Sequence, residues 1–432
     1  MELVVNQINT LSTKNDSDLK KLKDFLRHEQ EMLKTNAEQI PQALQALDPA
    51  QNALGIAFLL AAQCGAGVFP DQRQTFCYIG KFLRAADEQQ FKKASVPVNA
   101  VCKYYAQMAI DEGQQARLQS LRPLRCALEK LRPDPETLTP VHTELIRVCL
   151  KAKAYTFAAS VLDQPIYDIS LSSPSCTQMT PQSFLCYFYY GAMVRIGLKQ
   201  YTQALQLLLV VLTCPASCLS AIQADAYKKY VLVSLKINGE LQPLPTYASH
   251  IVQRYAKSPS YVLDIAEAFK AGDLTALRRV VEEKTQALEA DSNLGLAQQI
   301  VDSMQRHKVK MLTNTYLTLS LAEIATEIGW DESKAAEVEQ LLFDMICEGE
   351  IRARIDGATE NVSFEDDDGD MDAAMICKVE DRLQQIMGLA QRIAAFEHEV
   401  VSSEAYIRKT AALEGGGAAA AAAMGGYDLM DM

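Results

Sequence analysis

Residues 317–364 read LTLSLAEIATEIGWDESKAAEVEQLLFDMICEGEIRARIDGATENVSF, and the order of patterns in this stretch decides the fold. Leu317 and Leu319 alternate with Thr318 and Ser320, the period of two that marks a short strand. Ser320 and Glu323 have the spacing of a capping box ahead of Leu321, Ile324, Ala325 and Ile328, and Gly329 follows as a stop. A second short helix is predicted after Asp331, with Val338, Leu341, Leu342, Met345 and Ile346 on its apolar side and Gly349 at its end. Ile351, Ala353 and Ile355 then alternate with Arg352 and Arg354. Asp356-Gly357 supplies a turn, and Val362 and Phe364 alternate with Ser363. Strand, helix, helix and hairpin in this order predict a winged-helix module.

Upstream, from Leu19 to about Leu244, the texture is helical throughout, with Pro, Gly and Asp as punctuation and a 3.6-residue apolar period that predicts one buried stripe per helix. The clearest pair carries Phe184, Tyr187, Phe188 and Gly191 on one helix and Tyr201, Ala204, Leu205, Leu208 and Leu212 on the next. Gly191 has no side chain, so the facing helix can come close. The joint between them, GLKQYTQAL from Gly197 to Leu205, resembles the helix-turn-helix joint of tetratricopeptide-type repeats. Related joints lie at Lys151-Ala152-Lys153-Ala154-Tyr155, Asn238-Gly239-Glu240-Leu241 and Phe269-Lys270-Ala271-Gly272-Asp273-Leu274, at unequal spacing, which predicts degenerate helical pairs stacked as a solenoid.

Downstream of the winged helix, Glu365-Asp366-Asp367-Asp368-Gly369-Asp370 reads as an acidic linker. Beyond it, Ile376, Val379, Leu383, Ile386, Leu389, Ile393, Phe396 and Val400 recur at spacings of three and four, an apolar seam that calls for a partner helix. Gly and Ala dominate the tail and carry no readable chemistry. The organisation predicted is N-terminal helical repeats at 1–183, a second helical region at 184–312, the winged helix at 313–365, a C-terminal helix at 371–411 and a low-complexity tail at 412–432.

Composition narrows the function. The chain has 432 residues, 49 % hydrophobic, with a formal net charge of −12. That length exceeds one ordinary core and favours several units or an array. The charge opposes a general nucleic-acid or acidic-membrane role, since phosphate binding needs clustered Lys and Arg. Winged helices often read DNA, yet between Leu321 and Glu350 the acidic residues are Glu323, Glu327, Asp331, Glu332, Glu337, Glu339, Asp344, Glu348 and Glu350, against Lys334 alone. Arg352 and Arg354 on the wing, and Arg306, Lys308 and Lys310 upstream, read as a solvated face or as salt-bridge partners. Docking to protein through a sheet edge or helix face is the remaining use.

The 11 cysteines are scattered and odd in number, which predicts a reducing, intracellular compartment. Residues 1–11 lack the pattern of a secretory signal. Two uncharged runs, 49–70 and 201–224, are interrupted by Gln, Gly or Pro and predict buried helices, not membrane spans. His28, His142, His250, His307 and His398 form no local zinc signature, and Cys214 and Cys218 have Pro215 between them and no second ligand pair nearby. Gly80-Lys81 lacks the upstream glycine of a phosphate loop. No catalytic, cofactor-binding or metal-ligating residue is predicted. The protein-interaction candidates are Ile351, Ala353, Ile355, Val362 and Phe364 on the hairpin, together with the seam residues from Ile376 to Val400.

Helical repeats running into a winged helix and then a terminal helix resemble the PCI family, whose members include subunits of the proteasome lid, the COP9 signalosome and translation initiation factor 3. Four strings are similar to the signalosome members: FLCYFYYGAMVRIGLKQYTQAL from Phe184, AYKKYVLVSL from Ala226, NLGLAQQIVDSMQRHKVKMLTNTYLTLSLAEIA from Asn293, and MICEGEIRARIDGATENVSF from Met345. The resemblance covers most of 138–400 and departs at the tail.

It implies a mainly α fold, a tetratricopeptide-like solenoid ending in a PCI winged helix and a C-terminal bundle helix. It also implies a non-enzymatic scaffold of a complex that removes a ubiquitin-like modifier from cullins, with the metalloprotease activity in another subunit. The partners implied are other PCI subunits and the metalloprotease-containing remainder of the signalosome, with cullin-RING ligases met indirectly and neither nucleic acid nor membrane bound. The setting is cytoplasm and nucleus, and no cofactor is implied. The alternatives are the same scaffold role in the proteasome lid or the initiation factor, or, from a different class, a nucleic-acid-binding winged-helix protein.

Overall fold

A computed structural model describes residues 2–12, 15–67, 71–169, 179–330, 335–357, 360–364, 373–404 and 406–410. The acidic stretch 365–370, the Asp331 start of the second winged-helix helix and the tail at 412–432 lie outside them. The described residues form 22 α-helices and three short strands. The chain divides into two compact units, Met1–Asn314 with Ala325–Asp331, and Thr315–Ile324 with Glu332–Met432; the division falls within the helix Leu321–Ile328.

In the first unit helices pack chiefly on their neighbours in sequence, as expected of stacked repeats. Gln114–Leu131 packs on Pro140–Ala152, Pro140–Ala152 on Pro181–Gly197, Pro181–Gly197 on Tyr201–Thr213, and Tyr201–Thr213 on Ala221–Asn238. The core is correspondingly two clusters, one running from Val4 to Val194 and the other from Leu185 to Met304. They meet at the helix Pro181–Gly197. Tyr187 and Val194 belong to the first, Leu185 and Ala192 to the second.

Each pair is seven residues apart, and positions 185 and 187 lie on opposite sides of a helix. The single buried stripe expected from periodicity is therefore two stripes here, because a helix in mid-stack has a neighbour on either side. Gly191 allows the close approach that was predicted. A Cβ there would lie 3.0 Å from Leu162 Cδ2 and 3.5 Å from Leu207 Cδ1 of the following helix. The uncharged run at 49–70 contains Ala53–Ala66, buried along nearly its whole length. Among the described residues no helix is long and apolar enough to cross a membrane.

The joints share one device. After Pro140–Ala152, Ala154 N–H donates to Cys149 O at 2.9 Å and Lys153 N–H to Leu150 O at 3.2 Å, with Lys153 left-handed at φ 57°. After Pro181–Gly197, Gln200 N–H donates to Arg195 O at 2.9 Å and Lys199 N–H to Ile196 O at 3.0 Å, with Lys199 at φ 60°. These nested bonds are those of a Schellman cap. Ser292 at φ 55° repeats them before the helix Leu294–Thr313. The left-handed residue of the second joint is thus Lys199, not the nearby glycine. Gly197 ends its helix with Tyr155 ring carbons 3.3 Å from where a Cβ would stand.

Polar side chains lock these joints. Arg195, 5 % exposed, donates to Gln200 Oε1 at 2.7 Å and to Asp163 Oδ1 at 2.6 Å, tying the Lys199 joint to the end of the helix Tyr155–Leu162. Within the AYKKYVLVSL string, Lys228 donates to Asp291 at 2.7 Å and buried Lys229 to Asn293 Oδ1 at 2.6 Å. Tyr261 also donates to Asp291, at 2.5 Å. Two adjacent lysines thereby hold both sides of the Ser292 turn.

The second unit contains a three-stranded antiparallel sheet of β1 (Thr318–Ser320), β2 (Ala353–Asp356) and β3 (Asn361–Phe364), in the order β1-β3-β2. Leu319 stands opposite Val362 on one side, and Ile355 opposite Val362 on the other. The capping box forms as predicted: Glu323 N–H donates to Ser320 Oγ at 3.3 Å, and Ser320 N–H to Glu323 Oε2 at 3.0 Å. Ala335–Cys347 follows and buries Val338, Leu342 and Met345. Strand, helix, helix and hairpin follow one another in winged-helix order. The unit continues into the helix Ala373–Ser402, 30 residues long.

Candidate assembly surfaces

The hairpin residues are placed in two classes. Ile351, Val362 and Phe364 are buried, while Ala353 and Ile355 are half-buried. Alternation along a strand sends every second side chain to the same face, and here that face is the inner one. Outward the hairpin presents the exposed Arg352 and Arg354 side chains, and at its edge backbone: β3 is central, and β1 and β2 are the outer strands, each paired on one side among the described residues. An outer strand keeps a row of N–H and C=O groups on which another strand can add. Beside it, the helix Ala335–Cys347 exposes Glu337, Glu339 and Asp344 around Phe343 and has no Lys or Arg in its sequence. That face opposes phosphate.

The helix Ala373–Ser402 is built differently. Its eight seam residues Ile376, Val379, Leu383, Ile386, Leu389, Ile393, Phe396 and Val400 are all exposed, from 42 % at Ile376 and Leu389 to 66 % at Ile393. Met387 and Val401 widen the apolar surface. Eight side chains recurring over about seven turns face solvent along a span of roughly 40 Å at 1.5 Å per residue. Burying a fully exposed side chain of this kind gains about 1.5–3 kcal/mol, and with about half of each still in water the helix offers a large unsatisfied apolar area. The seam steps by three from Ile386 to Leu389 as well as into Ile386, a local irregularity that overwinds a supercoil at that point.

Titratable residues elsewhere serve the fold. His142 accepts the Thr139 N–H on Nδ1 at 3.0 Å, and burial pushes its pKa down to about 4. His307 lies edge-on to Phe269 with Nε2 3.0 Å from Lys236 O. Burial pushes the Cys64 and Cys149 thiols up to about 12, as befits thiols acting as small hydrophobes. Cys214 is half-buried and Cys218 exposed. Among the described residues no group of three or more His, Cys, Asp or Glu side chains is placed to hold a metal ion.

Known proteins match this sequence. The family model described as COP9 signalosome complex subunit 3, N-terminal helical repeats, matches residues 16–252, and that of the PCI domain matches residues 274–366. COP9 signalosome complex subunit 3 of Arabidopsis thaliana is 32 % identical over 417 residues, covering 95 % of this chain and 93 % of that protein. The protein of the same name from Drosophila melanogaster is 28 % identical over 425 residues, covering 95 % and 94 %.

Proposed function

The chain belongs to the family of COP9 signalosome complex subunit 3, and on that premise we propose that it is a non-catalytic scaffold subunit of a COP9 signalosome. In that complex it positions neighbours for removal of the ubiquitin-like modifier from cullins, and so takes part in regulating cullin-RING ligases, which it meets only through the assembly. Its direct partners are other PCI subunits and the remainder that carries the metalloprotease, in cytoplasm and nucleus. The hairpin from Ile351 to Phe364 contributes an outer strand, and the seam from Ile376 to Val400 enters a helical bundle.

The observation that carries this reading is the exposed seam. A long helix with eight large apolar side chains in water is unfavourable unless another helix covers it. The acidic exposed face of Ala335–Cys347 supports protein docking over DNA reading.

Native mass spectrometry of the complex purified through a tagged full-length chain tests the proposal. It is expected to find other PCI subunits together with a metalloprotease subunit. A chain ending at Asp370 is expected to keep its helical circular dichroism and to drop out of the complex. Neighbours from the proteasome lid or the initiation factor, or stoichiometric recovery with the shortened chain, would overturn it.

A further inference from the structure

One groove in the first unit stands against the chain's net charge of −12. It is lined from the helices Asp16–His28, Gln30–Thr35, Ala53–Ala66, Glu88–Lys93 and Ser95–Glu112, and has a volume of about 270 Å3. Its charged lining consists of Lys23, Arg27, Lys34 and Lys93, with no carboxylate among the lining residues. Lys93 is paired with Asp16, whereas Arg27 and Lys34 have no ion pair among the described residues. Burial, and then the Arg27 charge, hold the Lys23 pKa below its ordinary value, although Asp24 acts the other way.

Apart from Gln30 and the Tyr104 hydroxyl, the rest of the lining is apolar. Phe58 is buried at its edge, and Val96 and Tyr104 on Ser95–Glu112 are 49 % and 38 % exposed. The Lys34 stem passes Gly65, its Cε 3.8 Å from where a Cβ would stand. Arg27 and Lys34, without an ion pair among the described residues, stand beside exposed apolar side chains and form a surface complementary to one ligand chemistry.

We propose that this groove docks an acidic peptide segment of a partner protein, its carboxylates on Arg27 and Lys34 and an apolar anchor against Val96 and Tyr104. The volume lies below the roughly 300–1,000 Å3 usual for small-molecule sites, and suits an anchoring side chain. Nucleic acid is the weaker fit. A phosphate backbone calls for a longer cationic track and does not use the apolar lining. The site belongs to the first unit, the sheet and the seam to the second, and its test does not depend on the assembly role.

Random peptides displayed on phage are selected on the full chain, and enriched sequences are resynthesised for fluorescence anisotropy. The expected peptides carry Asp or Glu flanking Leu, Phe or Trp. Their affinity falls about tenfold or more in Arg27→Glu/Lys34→Glu, and also falls in Tyr104→Ala. All three positions are exposed, so unchanged melting curves establish that the variants fold.

Raised salt is expected to weaken binding without abolishing it, because the apolar anchor is not screened. Failure to enrich such peptides, or equal binding by both variants, overturns the proposal. Displacement by single-stranded oligonucleotide with a steep salt slope likewise reassigns the groove to phosphate.

Discussion

His142 is 2 % exposed at the third position of the helix Pro140–Ala152, where Thr139 and His142 close a capping box. A Gln or Glu usually fills that position; the imidazole substitutes because neutral Nδ1 is an acceptor. Its pKa of about 4 in the folded chain lies below the ordinary histidine value of 6.5, so the unfolded chain takes up the proton first. Stability from this residue is intact above about pH 6.5 and is lost as pH falls towards 4, by roughly 3 kcal/mol in total. His142→Gln keeps the cap and removes the titration. In urea unfolding, the wild type is expected to lose stability relative to His142→Gln across that range, whereas parallel pH profiles would contradict this account. Sequence reading found no zinc signature around His142, but its cap role needed the backbone: only the fold brings the Thr139 N–H to Nδ1.

At the scale of elements, the pattern gave helices, stops and capping box at the right places, since each is written within a few adjacent residues. The joint at Gly197–Leu205 was legible in position but not in mechanism. Glycine is the visible signal for a left-handed residue, yet Gly197 is needed against the Tyr155 ring, and Lys199 takes the positive φ. A non-glycine residue in that conformation costs about 1–2 kcal/mol, partly offset by its smaller unfolded-state entropy. Lys199→Gly is therefore expected to raise stability by about 0.5–1 kcal/mol in equilibrium unfolding. A loss of stability would show that the Lys199 side chain supplies more than the cap. Lys153, with the same φ and the same pair of bonds, shows that the two joints are copies of one repeat device.

For the whole molecule, the visible and hidden parts of the candidate surfaces separate by origin. The seam lies on one helix, so its period reads directly from 376 to 400. The hairpin also reads directly, but alternation alone does not say which face is inward, and Ile351, Val362 and Phe364 are buried in the structure. The basic groove draws its cations from three helices, Asp16–His28, Gln30–Thr35 and Glu88–Lys93, and no local pattern announces it. The acidic balance of the chain hides it further, because a net charge averages over surfaces that a partner meets one at a time.

The proposed scaffold role rests most heavily on the seam, and Ile386→Glu/Ile393→Glu probes it without touching the core, since both side chains are exposed in the isolated chain. Burying either carboxylate unpaired in a helical bundle costs upward of about 3 kcal/mol, more than a hundredfold in affinity. Melting of the isolated variant and its recovery in the tagged, purified complex are measured side by side. The expected result is an unchanged melting curve with the variant absent from the complex. A variant recovered at wild-type stoichiometry would contradict assembly through this helix.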